Sequence, residues 1–206
     1  MEFKRKELLD WLIKSQFNDM VKIITGARRV GKSYLLFTLY RNYLIKKQKV
    51  NPKNIITINL ENDENKKYHD PDKLYEYLKS QLKNKRGKCF VFIDEIQCVV
   101  QKENPYVKGD YYRFYGILNS LLNMKNVDTY VTGSNSKLLS KDIATEFRGR
   151  GWQLYVPPLS YQEINEEIKD KNDKNFLKNY MEFGGLPKIW LLKTNEESPH
   201  YLMSVL

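Results

Sequence analysis

Hydrophobic positions along the chain follow two alternating patterns. Compact runs of five to seven mostly apolar or β-branched residues predict buried strands, at residues 21–25, 54–60, 89–93, 127–132 and 152–156. Stretches in which apolar residues recur every three or four positions predict amphipathic helices, at residues 2–14, 32–47, 71–82 and 111–123. The third of these helices has Asp70 as a predicted N-cap and Pro71 at its first position.

Strands that alternate with helices favour an α/β fold, here a five-stranded, mainly parallel sheet with helices on both faces. Residues 89–93 are apolar without alternation, which is typical of a central strand buried on both faces of a parallel sheet. The sequence therefore predicts a doubly wound sheet in which this strand is interior.

The pattern becomes helical after Pro157-Pro158. Ser160 and Glu163 form a capping-box signature at the start of this part, and Gly184-Gly185 interrupts it. We expect a core over residues 1–158 and a helical appendage over residues 159–206.

Composition excludes several classes of protein. Hydrophobic residues make up 41% of the chain and charged residues 29%, so a packed domain is feasible. No apolar run approaches the roughly 18–20 residues that span a bilayer, and the N-terminus lacks the apolar segment of a secretory signal. With 2 Cys and 2 His, a disulfide scaffold and a His/Cys zinc site are excluded. We expect a cytoplasmic protein without a membrane partner.

Positive charge is concentrated at the beginning of the chain. Residues 1–53 hold 13 Lys and Arg against 4 Asp and Glu, which accounts for +9 of the total of +10. This end could attract phosphates, including those of a nucleic acid. The excess of Lys, Asn and Tyr also has a second interpretation, the codon bias of an AT-rich genome, and charge alone leaves both open.

The strongest motif is G-x-x-x-x-G-K-S between the first strand and the second helix. Glycines let the backbone N–H groups of such a loop converge on an anion, and the following helix adds its positive end. Lys32 is expected to reach the β- and γ-phosphates of a nucleotide, and Ser33 to bind Mg²⁺. The predicted nucleotide-binding residues are Gly26, Ala27, Arg28, Arg29, Val30, Gly31, Lys32, Ser33 and Tyr34.

Two carboxylates, Asp94 and Glu95, follow the apolar strand 89–93. Downstream of a phosphate-binding loop, the first is expected to hold Mg²⁺ and the second to orient and deprotonate a water that attacks the γ-phosphate. A base at this position favours hydrolysis over transfer to a small-molecule acceptor. The alternative is that both residues cap the next segment.

Two further groups are candidates for catalysis. Ser134 and Asn135 follow strand 127–132, where either side chain could bind the γ-phosphate or the water, or form a local turn. Arg148 and Arg150 precede the fifth strand in a chain with only 8 Arg against 27 Lys. Either arginine could stabilise transition-state charge, or could pair with an acid of the same chain.

Together, the segments GARRVGKS, CFVFIDEIQ, TGSNSKLLS, EFRGRG, PLSYQE and EFGGLP resemble prokaryotic ATPases of the AAA+ superfamily. This group is usually joined to a nuclease-like C-terminal domain of unknown role. The resemblance covers residues 6–193 and implies five parallel strands in the AAA-type order. It also implies a sensor residue at Ser134 or Asn135 and an arginine finger at Arg148 or Arg150, which a neighbouring subunit of a homo-oligomer could receive.

The resemblance implies Mg²⁺-dependent hydrolysis of ATP that drives a conformational change in a target. The alternative is a nucleotide-dependent switch or nucleic-acid-associated module with slow hydrolysis. The prediction that the nucleotide is ATP rather than GTP rests on the resemblance and on the absence of an N-K-x-D motif. Since members of the group continue well beyond the corresponding position, we expect this chain to be the N-terminal portion of a longer protein.

Overall fold

The computed structural model describes residues 2–133, 149–167, 176–192 and 197–204. Its central sheet has five parallel strands, which in chain order are β1 (Val21–Thr25), β2 (Ile55–Asn59), β3 (Cys89–Asp94), β4 (Val127–Thr132) and β5 (Gly151–Tyr155). Across the sheet the order is β2-β3-β4-β1-β5, and every neighbouring pair is parallel. The predicted α/β fold with a five-stranded parallel sheet is confirmed.

The described helices lie between and after these strands. They are α1 (Lys6–Lys14), α2 (residues 32–46), α3 (Pro71–Leu82), α4 (Tyr115–Leu122), α5 (Tyr161–Glu167), α6 (Phe176–Phe183) and α7 (Glu197–Met203). Helix α2 is continuous over Lys32–Tyr34, a π-helical turn at Leu35–Tyr40, and Arg41–Lys46. Single 3₁₀ segments occur at Pro52–Asn54, Asp63–His69, Ile96–Cys98 and Ile189–Leu191. None of the helices in the described ranges has the length and hydrophobicity needed to cross a bilayer.

A hydrophobic layer covers each face of the sheet. Side chains of α3 and α4 pack on one face, where they meet Val21 and Ile23 of β1. Side chains of α1 and α2 pack on the other face, against Ile24 of the same strand. Every residue of β3 is buried, as predicted for a central strand. Because all five strands are parallel, their carboxyl ends form one edge of the sheet.

Two helices begin later than their apolar patterns predicted. The helix predicted for residues 111–123 begins at Tyr115, because Tyr111–Tyr112 pairs with Lys102–Glu103 in a short antiparallel ladder. The first helix begins at Lys6, because Arg5 adopts the left-handed conformation, with φ 46°.

Residues after β5 form a small helical region with its own hydrophobic cluster, which contains Leu159, Ile164 and Phe176. The predicted capping box is present: Glu163 N donates to Ser160 Oγ at 3.2 Å, and Ser160 N donates to Glu163 Oε2 at 2.9 Å. Phe3, from the N-terminus, is buried in the same cluster. The boundary near residue 158 remains a prediction.

Candidate active site

The phosphate-binding motif and the acidic pair meet at the carboxyl edge of the sheet. Strands β3, β4 and β1 are adjacent, so the segments that follow them emerge side by side. The loop at residues 26–31 follows β1, Asp94 ends β3 with Glu95 directly after it, and Thr132 ends β4. The fold therefore brings together the groups that the sequence predicted to act on a nucleotide.

Glycine is required at both ends of the loop. A Cβ on Gly26 would lie 2.3 Å from the carbonyl oxygen of Val156, which follows β5. Gly31 has φ +96°, a conformation that other residues rarely adopt. The loop is thereby held against the end of the neighbouring strand, and α2 begins directly after it at Lys32.

Lys32 occupies the inside of its own loop. Its Nζ donates to the carbonyl oxygen of Gly26 at 3.0 Å and to that of Ala27 at 2.7 Å. Only 5% of the residue is exposed. Burial lowers the pKa of the Lys32 ammonium, whereas the carboxylates of Glu95 and Asp94 act in the opposite direction. The positive charge thus lies where a polyphosphate would contact the loop.

Two hydroxyl groups donate hydrogen bonds to Asp94. Ser33 Oγ donates to Asp94 Oδ1 at 3.0 Å, and Thr132 Oγ1 donates to the same oxygen. Burial raises the pKa of Asp94, although both hydroxyls oppose this shift. No salt bridge to Asp94 occurs within the described ranges. A buried carboxylate beside a serine hydroxyl offers the hard oxygen ligands that Mg²⁺ prefers, so these residues fit that ion.

Glu95 is held by its backbone and by its side chain. It adopts a left-handed conformation, with φ 55°, and its N–H donates to Thr132 Oγ1 at 3.1 Å. The side-chain amide of Gln97 donates to the Glu95 carboxylate. Arg113, just before α4, in turn donates to the carbonyl oxygen of Gln97 at 3.2 Å. The carboxylate is therefore oriented by the segment that follows β3.

Thr132 and Gln97 are site residues that the sequence analysis did not predict. Thr132 is the last residue of β4 and links both carboxylate residues, whereas the sequence pattern favours Ser134 and Asn135 just beyond it. Those two residues lie outside the described ranges, so the sensor assignment remains a prediction. A hydroxyl at the end of the strand beside β3 was the available signal for Thr132.

The other predicted loop residues have different surroundings. Val30 is buried in the hydrophobic layer shared with α1 and α2, and Arg28 is exposed. The Arg29 guanidinium lies 5.4 Å from the centre of the Tyr201 ring in α7. The Tyr34 hydroxyl donates to Glu2 Oε1 at 2.7 Å. These last two contacts link the loop and α2 to the ends of the chain.

Arg150 lies at the opposite edge of the sheet from the loop. Its carbonyl oxygen accepts a hydrogen bond from Val21 N, at the amino end of β1, and its side chain donates to Asn119 Oδ1 at 2.9 Å. Five residues of β1 separate this position from the loop, a length of about 16 Å. Arg150 therefore does not reach the site of its own chain. Arg148 lies outside the described residues.

The helical region contacts the loop through its Gly184-Gly185-Leu186-Pro187 segment. Leu159 N donates to the carbonyl oxygen of Gly185 at 2.7 Å, which fixes this segment next to the end of the core. Pro187 Cγ would lie 3.8 Å from a Cβ on Gly31. Lys188, which follows, is exposed.

Comparisons with known proteins agree with this geometry. The sequence model of the family described as "AAA domain" matches residues 18–165. An uncharacterised protein of Haemophilus influenzae is 31% identical over 189 residues, which cover 90% of this chain and 44% of that protein. An uncharacterised protein of Methanocaldococcus jannaschii is 33% identical over 183 residues, with 84% and 36% covered. The chain spans less than half the length of these relatives.

Two solved structures share the fold. PCH-2 of C. elegans has a TM-score of 0.51 and 16% identity, over 86% of this chain and 42% of that one. The ORC1 protein of Aeropyrum pernix, in complex with DNA, has a TM-score of 0.53 and 15% identity, over 81% and 48%. At these identities the likeness establishes the α/β architecture alone.

Proposed function

The chain belongs to the AAA domain family of P-loop ATPases, and on this basis we propose that it binds ATP with Mg²⁺ and hydrolyses it. The hydrolysis would drive a conformational change in a target molecule. The observation that carries the proposal is the hydrogen bond between Ser33 and Asp94, which joins the loop to the end of β3 beside Lys32 and Glu95. These four side chains divide three roles between them in the proposed reaction: phosphate binding, Mg²⁺ binding and general-base catalysis.

Binding follows from the loop and its lysine. Backbone N–H groups of the loop and the first turn of α2 face a bound phosphate chain. Phosphate oxygens replace the carbonyls of Gly26 and Ala27 as acceptors for Lys32 Nζ. Ser33 and Asp94 would hold Mg²⁺, which when bound neutralises charge on the phosphates.

Hydrolysis requires a base near the γ-phosphate, and we assign this role to Glu95. Its carboxylate follows Asp94 directly and is oriented by the amide of Gln97. In the proposed reaction the carboxylate accepts a proton from the attacking water, and Thr132 fixes the backbone that carries it. General-base assistance of this kind contributes about 10²–10⁴ in rate.

An arginine finger would come from a neighbouring subunit. Arg150 lies at the edge of the sheet away from its own loop, so it can serve only the site of another copy. Arg148, two residues earlier, is an equal candidate. The proposed catalytic unit is therefore a homo-oligomer, and the isolated chain would hydrolyse ATP slowly.

The alternative, a nucleic-acid-associated module, rests on the basic first quarter of the chain. Four of its 13 basic residues form ion pairs with acids from later in the chain: Lys4 with Glu167, Arg5 with Glu163, Lys6 with Glu166 and Lys22 with Asp128. These pairs leave less free positive charge than the sequence suggested, which favours the ATPase proposal. Binding of DNA or RNA that falls steeply with salt and stimulates hydrolysis would instead favour the alternative.

The test compares phosphate release from Mg-ATP by the wild-type chain and by Glu95→Gln. We expect the variant to lose about 10²-fold or more in rate while calorimetry finds its affinity for Mg-ATP retained. Glu76→Gln, an exposed position on α3, is the matched control and should hydrolyse at the wild-type rate. Equal rates in Glu95→Gln and wild type would remove Glu95 from the mechanism. Absence of binding heat with the wild type would overturn the proposal itself.

A further inference from the structure

Residues 2–6, which we call the N-terminal strap, are anchored in the helical region. Phe3 is 6% exposed and packs in the cluster of Leu159, Ile164 and Phe176. Nine residues later, Leu12 of α1 is fully buried in the layer that covers the sheet. The first residues of the chain therefore connect the helical region to the core, because Phe3 is buried in the former and Leu12 in the latter.

Three consecutive basic residues of the strap pair with three acids on α5. Lys4 Nζ lies 2.9 Å from Glu167 Oε1, Arg5 Nε lies 3.2 Å from Glu163 Oε1, and Lys6 Nζ lies 2.9 Å from Glu166 Oε2. The acids are spaced so that they share one face of the helix. A single exposed ion pair contributes little to stability. Here the exposed pairs of Lys4 and Lys6 lie on either side of the buried Arg5. Arg5 also donates to the carbonyl oxygen of Pro157 at 2.7 Å.

The strap also contacts the helix that carries the nucleotide-binding residues. The Tyr34 hydroxyl, one residue after Ser33, donates to Glu2 Oε1 at 2.7 Å. Burial, together with the Glu2 carboxylate, raises the pKa of Tyr34 to about 12, so the hydroxyl keeps the proton that it donates. Arg29 and Gly31 of the loop meet the helical region directly, at Tyr201 and Pro187.

Movement of the helical region away from the core would disrupt both the contacts of the strap with α5 and the contacts of the loop with Tyr201 and Pro187. The strap and α5 line a cavity of about 540 Å³, which Pro157 and Pro158 border at the end of the core. Val156, which precedes them, touches Gly26 of the loop. A displacement of α5 therefore stretches the strap and moves one wall of this cavity.

We propose that the N-terminal strap holds the helical region closed on the phosphate-binding loop and thereby sets the rate at which bound nucleotide leaves. The inference rests on the proposed function, because it assigns a regulator to that same site. The regulating element is the set of ion pairs between the strap and α5, and the regulated event is release of nucleoside diphosphate.

The test uses charge reversal on each side of the ion pairs. One variant is Lys4→Glu/Lys6→Glu, the second is Glu166→Lys/Glu167→Lys, and the third combines all four changes; Phe3 and Arg5 stay unchanged because both are buried. Dissociation of a fluorescent ADP is followed by stopped flow after addition of excess ATP. We expect release to be about threefold to tenfold faster in each double variant, and to return to within about twofold of wild type when the charges are exchanged. Lys46→Glu/Lys47→Glu, an exposed pair on and just after α2, is the matched control.

Amide hydrogen exchange in α5, measured without nucleotide, gives a second readout. We expect faster exchange in both double variants than in the control, and a return to the control's exchange rate in the variant that carries all four substitutions. Release at the wild-type rate in both double variants, or release that the exchanged charges do not slow, would overturn the inference. If the wild-type chain binds no nucleotide, the proposed function fails instead, and unchanged exchange in α5 would then overturn the holding role of the strap separately.

Discussion

Ser33 donates a 3.0 Å hydrogen bond to Asp94, although 61 residues separate them in the chain. Thr132, from a third segment, donates to the same carboxylate oxygen. The loop, β3 and β4 thus converge on one buried atom, Asp94 Oδ1. The first two predictions follow from this convergence.

Asp94→Asn should stabilise the nucleotide-free protein. Burial raises the pKa of Asp94, so the native state is penalised when this carboxyl is ionised, and stability falls as pH rises above its unfolded value near 3.8. An asparagine carries no charge, and its single carbonyl oxygen can accept both hydroxyl bonds. At pH 8 we expect a thermal midpoint about 2–4 °C higher, the shift that about 1 kcal/mol produces in a domain of this size.

The advantage of Asp94→Asn should shrink as pH falls toward the range in which the wild-type carboxyl becomes protonated. Thermal unfolding of both proteins between pH 4 and pH 8 measures this trend, and Mg²⁺-dependent hydrolysis should be lost in the variant. A variant less stable than wild type at pH 8 would contradict the pKa direction assigned to Asp94.

Thr132→Val should weaken both the fold and the reaction. Valine keeps the shape of threonine but removes the hydroxyl that accepts from Glu95 N and donates to Asp94. Leaving a buried donor unpaired costs about 1–3 kcal/mol in the free energy of unfolding. Hydrolysis should fall by about tenfold, the effect of about 1.4 kcal/mol on the barrier. Denaturant unfolding and phosphate release measure the two effects, and Thr132→Ser should restore most of each.

Gly26→Ala should weaken nucleotide binding. The added Cβ would lie 2.3 Å from a backbone oxygen of Val156, so the loop must move away from the end of β5. We expect affinity for Mg-ATP to fall by about tenfold or more, an effect of about 1.4 kcal/mol in binding free energy, as measured by calorimetry. Gly116→Ala is the control, since a Cβ there meets no atom within 4 Å. If the two variants bind equally well, the close approach at Gly26 does not shape the site.

Mixing two variants with different defects should test whether the arginine finger acts in trans. Glu95→Gln retains Arg150, and Arg150→Ala retains Glu95, so an interface between the two chains combines an intact base with an intact arginine. We expect the equimolar mixture to release phosphate faster than the sum of the separate proteins. A mixture of Glu95→Gln with Lys32→Ala, both defective in the nucleotide site itself, should show no gain. Rates that simply add in the first mixture would exclude Arg150, and the same experiment with Arg148→Ala then tests the other arginine.

The local sequence pattern was sufficient to predict those parts of the site that a single continuous segment forms. The compact strand, the glycine spacing and the following helical stripe predicted the positions of Lys32 and Ser33, because the loop is specified by neighbouring residues. The same holds for Asp94, which ends a strand that is recognisably buried. Strand order, which brings β3, β4 and β1 together, came from the family resemblance and is confirmed by the sheet.

Contacts between distant segments were not predictable from the same patterns. Gln97 orients Glu95 only because the backbone turns at φ 55° after β3, and no periodicity encodes that turn. The basic residues Lys4 and Lys6 are typical of a solvent-exposed helix start, whereas they pair with acids about 160 positions away. The pairing of Tyr111–Tyr112 with Lys102–Glu103 likewise depends on another segment, and because of it the helix begins four residues later than predicted, at Tyr115.

The two bonds from Lys32 to the carbonyls of Gly26 and Ala27 have a thermodynamic consequence. They give the Lys32 ammonium two acceptors within the loop itself, so the chain's own backbone holds the loop in shape around its cation. Recognition of a polyphosphate is then an exchange of acceptors around a fixed ammonium and not a folding event. We therefore expect a small heat-capacity change on association and an on-rate set by diffusion and charge steering.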